Sequence, residues 1–233
     1  MGLGVSETER RGRWRGLPGA LPGPLTAPFT YCYLAVLLAG SLYQVFGPPE
    51  RVHAMLSDSS SDAANLLQRP EVALAASALW TAEPAAVWPA YLLVFLLTVA
   101  QLERRLGWLR TLAVFAAGHV VATLATEVPI ALAVATGGLA PGALHRIDLG
   151  VSYGVLACLG ALAALVPLRR QGRMVGVGIA AVVAASLFGH SSVAAIGHPL
   201  AYLVGVLFWP TVRRWAVRRQ VAIAQSEQMP RNK

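Results

Sequence analysis

The chain has 233 residues, 56% of them hydrophobic and 13% charged, with a formal net charge of +8. A soluble domain usually carries about 25% charged residues, and here the apolar residues run in long blocks. That excludes a water-soluble globular protein and reads as bilayer-spanning helix.

Nearly all the positive charge is arginine, in short clusters between apolar blocks, with Lys233 the only lysine. Such clusters mark membrane topology rather than a nucleic-acid surface, so no nucleic-acid partner is expected. Cys32 and Cys158 both fall inside predicted spans and read as free, buried thiols. Nothing points to a disulfide framework, a metal site or a cofactor.

In chain order, residues 1–28 carry Arg10, Arg11, Arg13 and Arg15 and show no small-residue cleavage site. They read as a basic cytoplasmic tail followed by an anchor. Six spans are expected near 29–47, 84–104, 108–136, 149–167, 174–188 and 194–212. The predicted fold is therefore all-α and polytopic, with a membrane domain at 29–217 and a cytoplasmic tail at 218–233. The outer loop 48–83 starts polar at "LSDSSSD" and turns apolar at "VALAASALW" (72–80), which is too short to cross. An interfacial or half-embedded helix is expected there. The third span is overlong, and from Glu127 to Thr136 it is expected to bend at Pro129 or return toward the interface. The fifth is short and glycine-rich, so its neighbours can approach closely. The basic, amphipathic stretch 213–225 is expected to lie on the inner leaflet, drawn by anionic lipid.

Charge alternates between the connecting segments. Arg10 to Arg15, Arg104, Arg105, Arg110, Arg169, Arg170, Arg173, Arg213, Arg214, Arg218 and Arg219 share one side. The other holds Arg51, Arg69 and Arg146 among Glu50, Asp58, Asp62, Glu71, Glu83, Glu127 and Asp148. The positive-inside rule then puts both termini in the cytoplasm and makes the chain a multi-pass protein of the cell membrane.

Polar side chains inside spans are costly, which singles out Glu103, His119, Ser152, Tyr153 and His198. A lone serine in such a helix usually bonds the carbonyl one turn back, and a lone histidine usually packs against a neighbour. Topology changes the reading. Ser152 lies about one turn, roughly 6 Å, into the outer end of the fourth span, and His198 lies at similar depth in the sixth. Ala201 and Gly205 share the His198 face, while Gly150, Gly154 and Cys158 form a small-residue stripe on the fourth span. If these two faces meet, the histidine can take the serine proton as general base with no third residue. Amides in the first turn of the serine helix could face a developing oxyanion.

At these residues the sequence resembles the rhomboid family of intramembrane serine proteases. The stretch "GVSYGVLACLG" is similar to that family's serine motif, with Gly150 two before Ser152 and Gly160 eight after. "HPLAYLVG" resembles its histidine face through His198, Ala201 and Gly205, and "ERRLG" its Glu-x-x-x-Gly signature through Glu103 and Gly107. The likeness covers about 70–217. It implies a six-helix rhomboid-like bundle, Ser152 and His198 as a catalytic dyad, and spanning segments of membrane proteins as partners within the lipid bilayer. Departures are specific. Tyr153 stands where the family has glycine, Ala201 replaces the first glycine of the histidine face, and Leu156 replaces the tyrosine that supports the histidine. The usual oxyanion donors of the second span fall on Val87 and Tyr91. Tyr91, Tyr153 and His119 are the candidates for substitute polar contacts in the cavity.

Three functions compete. One is a serine protease that cuts spanning segments near the outer face; another is a non-catalytic rhomboid-fold protein that binds membrane helices. A small transporter fares worst, since no span carries a carboxylate near its midplane and no broken-helix repeat is evident.

Overall fold

Proline at the first helical position fixes where several helices begin, because its missing N–H is an orphan there in any case. The computed structural model describes residues 22–81, 88–188 and 192–228. The basic run Arg10 to Arg15 and the start of the expected second span, Val87 included, lie outside the described residues. Helix α1 is Pro28–Phe46, α2 Pro49–Ser59, α3 Ala63–Gln68 and α4 Pro70–Ser77. Then come α5 (Trp88–Leu97), α6 (Val99–Leu106), α7 (Trp108–Ala135) and a 3-10 turn at Pro141–His145. Helix α8 (Val151–Leu162) runs on as a 3-10 turn, Ala163–Leu165, before α9 (Leu168–Phe188), α10 (Ser192–Leu207) and α11 (Trp209–Gln228). Among the described residues all regular structure is helical.

Among the described residues two helices, α1 and α7, are each long and apolar enough to cross a membrane. A third crossing is formed if α10 and α11, bent by 48° at their junction, count as one span. The remaining expected spans take other forms. The second is divided at Thr98, where the backbone departs to φ −116°, ψ −76° and the hydroxyl bonds the Val94 carbonyl one turn back. The fourth is short: the apolar helix runs only from Val151 to Leu165. Helix α9 starts earlier than expected, at Leu168, and so takes Arg169, Arg170 and Arg173 into its first turns.

Other expectations are corrected. The outer end of α7 does not return; the helix continues through Pro129 to Ala135. One missing donor in so long a ladder is tolerated. Cys32 is exposed rather than buried, because the buried face of α1 is Thr30, Leu34, Leu37 and Ser41. Cys158 is buried, and both thiols are free. The apolar part of the outer loop folds as α4, starting and ending somewhat earlier than 72–80.

The core is built around α8, which is buried along most of its length and packs between α7 and α10. Its contacts use small residues. A Cβ on Gly205 would collide with the Ala157 carbonyl, and one on Gly160 with the Tyr202 carbonyl. A Cβ on Gly118 would meet the Ala157 methyl, and one on Gly154 the Phe115 ring. Backbones therefore approach as closely as glycine allows. The stripe Gly150–Gly154 faces α7, receiving His119 and Phe115, and not α10 as the spacing suggested. The α10 face is met instead by Ala157, Gly160 and Ala161.

Glu103 ties α1 to α6. Its carboxylate, 2% exposed, accepts from the Phe29 amide (2.8 Å), the Thr30 amide (2.8 Å) and the Thr30 hydroxyl (2.7 Å). These are first-turn donors with no intrahelical partner, so a side chain distant in sequence caps α1. Gly107 turns the chain from α6 into α7 at φ 89°, a conformation that favours glycine.

Candidate active site

Ser152 is the second residue of α8, after Gly150 at the N-cap and Val151 at N1. His198 lies in the first half of α10, followed by Pro199. The close α8–α10 packing brings His198 Nε2 to 3.0 Å from Ser152 Oγ. That is a hydrogen-bond distance, and in the tautomer protonated at Nδ1 the ring nitrogen accepts from the hydroxyl, the direction proton transfer needs. His198 is 6% exposed, and its Nδ1 is buried with no partner among the described residues. A carboxylate orienting that nitrogen is thus absent among them, and the pair stands as a dyad.

The amides of Val151 and Ser152 are in the first turn of α8, where the helix supplies no acceptor and no side chain caps the end. They are backbone donors beside the Ser152 hydroxyl, at the positive end of the helix dipole.

The Tyr153 ring is 2% exposed and packs on His198, centroids 5.4 Å apart at 74°. An aromatic ring at the histidine therefore comes from the position after the serine, while Leu156 packs nearby in the apolar cluster with Tyr153 and Ala201. Gly197 makes this possible, because a Cβ there would collide with the Tyr153 hydroxyl. That hydroxyl is buried beside Thr126 without a bond of good geometry. Tyr91 is half-buried and packs against the larger apolar cluster that holds Phe95 and Leu37.

His119 is a brace. From α7 its Nδ1 reaches the Gly150 carbonyl at 3.0 Å, and its Nε2 reaches the Leu74 carbonyl at 2.9 Å and Ser77 Oγ at 3.2 Å. One imidazole joins the outer loop to the residue that caps the serine helix. The amide of Gly150 adds a bond to the Ser77 carbonyl, 3.1 Å. Both ring nitrogens of His119 are thereby engaged.

The outer approach is polar. Asp148 donates its amide to Ser60 Oγ (2.9 Å) and accepts the Ser61 amide on its carbonyl (2.9 Å). Burial pushes the Asp148 carboxyl up to about 6; Asp62 adds to the rise, and Arg146 and the Ser61 hydroxyl oppose it. Arg146 pairs with the fully buried Glu127 carboxylate at 2.6 Å. An apolar cleft of about 250 Å³, lined by Thr126, Pro129, Leu139, Val193 and Ile196, opens where α7 meets the start of α10.

The sequence picked out Ser152, His198, Glu103, Gly107, Gly160 and Gly205, and the structure gives each a definite contact. It did not pick out Gly197, Ser77 or Asp148. The signal for Gly197 was available: a bulky residue after the serine needs space, and a glycine precedes the histidine.

A serine and a histidine thus face each other on two closely packed helices of an apolar bundle, the arrangement that the resemblance implied. A family model described as rhomboid-like protein matches residues 25–218. The chain is a member of the rhomboid-like family and a helical membrane protein. No curated protein and no solved structure matches the chain.

Proposed function

We propose that this rhomboid-like protein is an intramembrane serine endopeptidase that cleaves spanning segments of other membrane proteins near the outer face. In this reading it crosses the cell membrane six times with both ends in the cytoplasm. The charge asymmetry of its connecting segments supports that topology. The observation that carries the activity is the 3.0 Å approach of His198 Nε2 to Ser152 Oγ. His198 takes the hydroxyl proton as Ser152 attacks the scissile carbonyl, and the first-turn amides of α8 receive the oxyanion. His198 then returns the proton to the leaving amine, and water resolves the acyl-enzyme by the same route. The Tyr153 ring packed edge-to-face with His198 helps hold the imidazole in place. The test is covalent labelling of the purified full chain by a fluorophosphonate. Wild type should label, and both Ser152→Ala and His198→Ala should lose the signal; an unlabelled wild type would refute the enzymatic reading.

One observation favours a second reading, a non-catalytic helix-binding protein. His119, with both nitrogens engaged, is not free to serve as an oxyanion donor. Capture of a spanning segment that survives Ser152→Ala, with no labelling of wild type, would select it.

A further inference from the structure

The end of the bundle opposite the dyad carries a feature that neither reading uses. At the corner where α6 turns into α7, a cleft of about 340 Å³ opens against α11. Its wall includes Trp108, Leu109, Arg110, Arg218 and Arg219. We propose that this cleft binds the phosphate ester of an anionic membrane phospholipid.

Three arginines converge on a space a headgroup could fill, and none of them has a carboxylate partner among the described residues. The nearest acid on the adjoining helix, Glu103, spends both oxygens on the start of α1. Arg110 is held in position. Its guanidinium donates to the Trp215 carbonyl (3.2 Å) and lies over the Trp215 ring at 6.0 Å. Arg219 lies against the backbone of Gly107, where any side chain would displace it. Uncompensated guanidinium groups fixed against backbone favour an anion able to accept several hydrogen bonds, as a phosphate ester does.

The surroundings choose between a lipid and a soluble phosphate. Trp108 is 51% and Leu109 61% exposed, and Val217, Val221 and Ile223 of α11 are exposed as well. A basic cleft bordered by exposed tryptophan and aliphatic side chains matches the headgroup level of a bilayer, with acyl chains on the apolar flank. Free phosphate would gain nothing from that flank.

The experiment measures binding of dioctanoyl phosphatidylglycerol to the full chain in a neutral detergent, by native mass spectrometry. Dioctanoyl phosphatidylcholine and glycerol phosphate serve as competitors. Each arginine near a membrane surface is worth about fivefold in affinity, so Arg218→Gln with Arg219→Gln should weaken binding by roughly 20-fold. Arg169→Gln with Arg170→Gln, on an exposed stretch of α9, should leave it within twofold. Thermal unfolding of each variant separates lost binding from lost fold, and Arg218→Lys with Arg219→Lys, which keeps the charge, should bind at an intermediate level. Equal weakening by the two Gln pairs would reduce the effect to net charge and overturn the proposal. So would equal displacement by glycerol phosphate, or no preference for the anionic lipid.

Discussion

Adding one methyl group at Gly205 should separate the two reacting side chains without touching either. A Cβ on Gly205 would collide with the Ala157 carbonyl and lie 2.9 Å from the Ala161 amide nitrogen. Both are backbone atoms, so no rotamer change can relieve the clash, and ordinary contact begins only near 3.4 Å. Helices α8 and α10 must move apart by about 1 Å to accommodate it. The Ser152–His198 separation, 3.0 Å in the native packing, then approaches about 4 Å, beyond hydrogen-bond reach. A misplacement of that size costs roughly 100-fold in rate, equivalent to about 3 kcal/mol of barrier. The assay is the rate of fluorophosphonate labelling, normalised to folded protein by thermal unfolding, for which a cost of about 1–3 kcal/mol is expected. Gly160→Ala, which strikes the Tyr202 carbonyl on the same interface, should behave alike. Gly176→Ala is the control, since a methyl there meets open space. Labelling of Gly205→Ala within twofold of wild type would show that the dyad is not set by this helix contact.

Three further outcomes follow from other contacts. Glu103→Gln replaces one acceptor oxygen with an amide that faces N–H donors, and should cost about 2–3 kcal/mol in detergent-denaturant unfolding; a change below about 0.5 kcal/mol would mean that α1 starts without this cap. Tyr153→Phe removes a buried hydroxyl that lacks a well-formed bond and should leave stability equal or higher by about 1 kcal/mol, with labelling unchanged. A tenfold loss there would instead make the hydroxyl part of the chemistry, whereas Tyr153→Ala, which removes the ring from His198, should slow labelling at least tenfold. Asp148 has its native pKa raised to about 6, so the native state favours the protonated form. Its contribution is fully present below about pH 4 and is lost as pH rises toward 6, by at most about 3 kcal/mol. Unfolding measured from pH 4 to 7 should therefore show a falling component in wild type that Asp148→Asn lacks, and the variant should be the more stable at pH 7.

The approach of Ser152 to His198 was expected from span order and from the small-residue face that His198 shares with Ala201 and Gly205, although the stripe assigned to the serine helix was the wrong one. Glu103 and Gly107 were legible as a motif, but the reason for them was not. The carboxylate caps a helix more than seventy positions earlier, and the glycine leaves room for Arg219; both are long-range facts. The stripe on α8 was misassigned because small residues surround that helix: Gly150, Gly154, Ala157, Gly160 and Ala161 offer more than one smooth face. The bulk of Phe115 and His119 on α7 decides which face goes where. The break at Thr98 carries no glycine or proline to announce it. Cys32 illustrates a general limit, for membership of a spanning helix does not say which way a side chain points.

Helix α8 is short in a way that matters for chemistry needing water. Its 12 residues and the 3-10 turn that continues it rise about 24 Å, against about 42 Å for the 28 residues of α7 beside it. A bilayer's oily layer is about 30 Å deep, so this helix leaves a shortfall that something other than helix must occupy. Outward of Gly150 that space is taken by the irregular segment 146–150, stitched to Ser60, Ser61 and Ser77 through its own amides and carbonyls. Exposed irregular backbone cannot border lipid tails. Under the proposed topology the aqueous boundary would be drawn down toward Ser152 like a well shaft, and a nucleophile there would be wetted from above without a channel through the rest of the bundle.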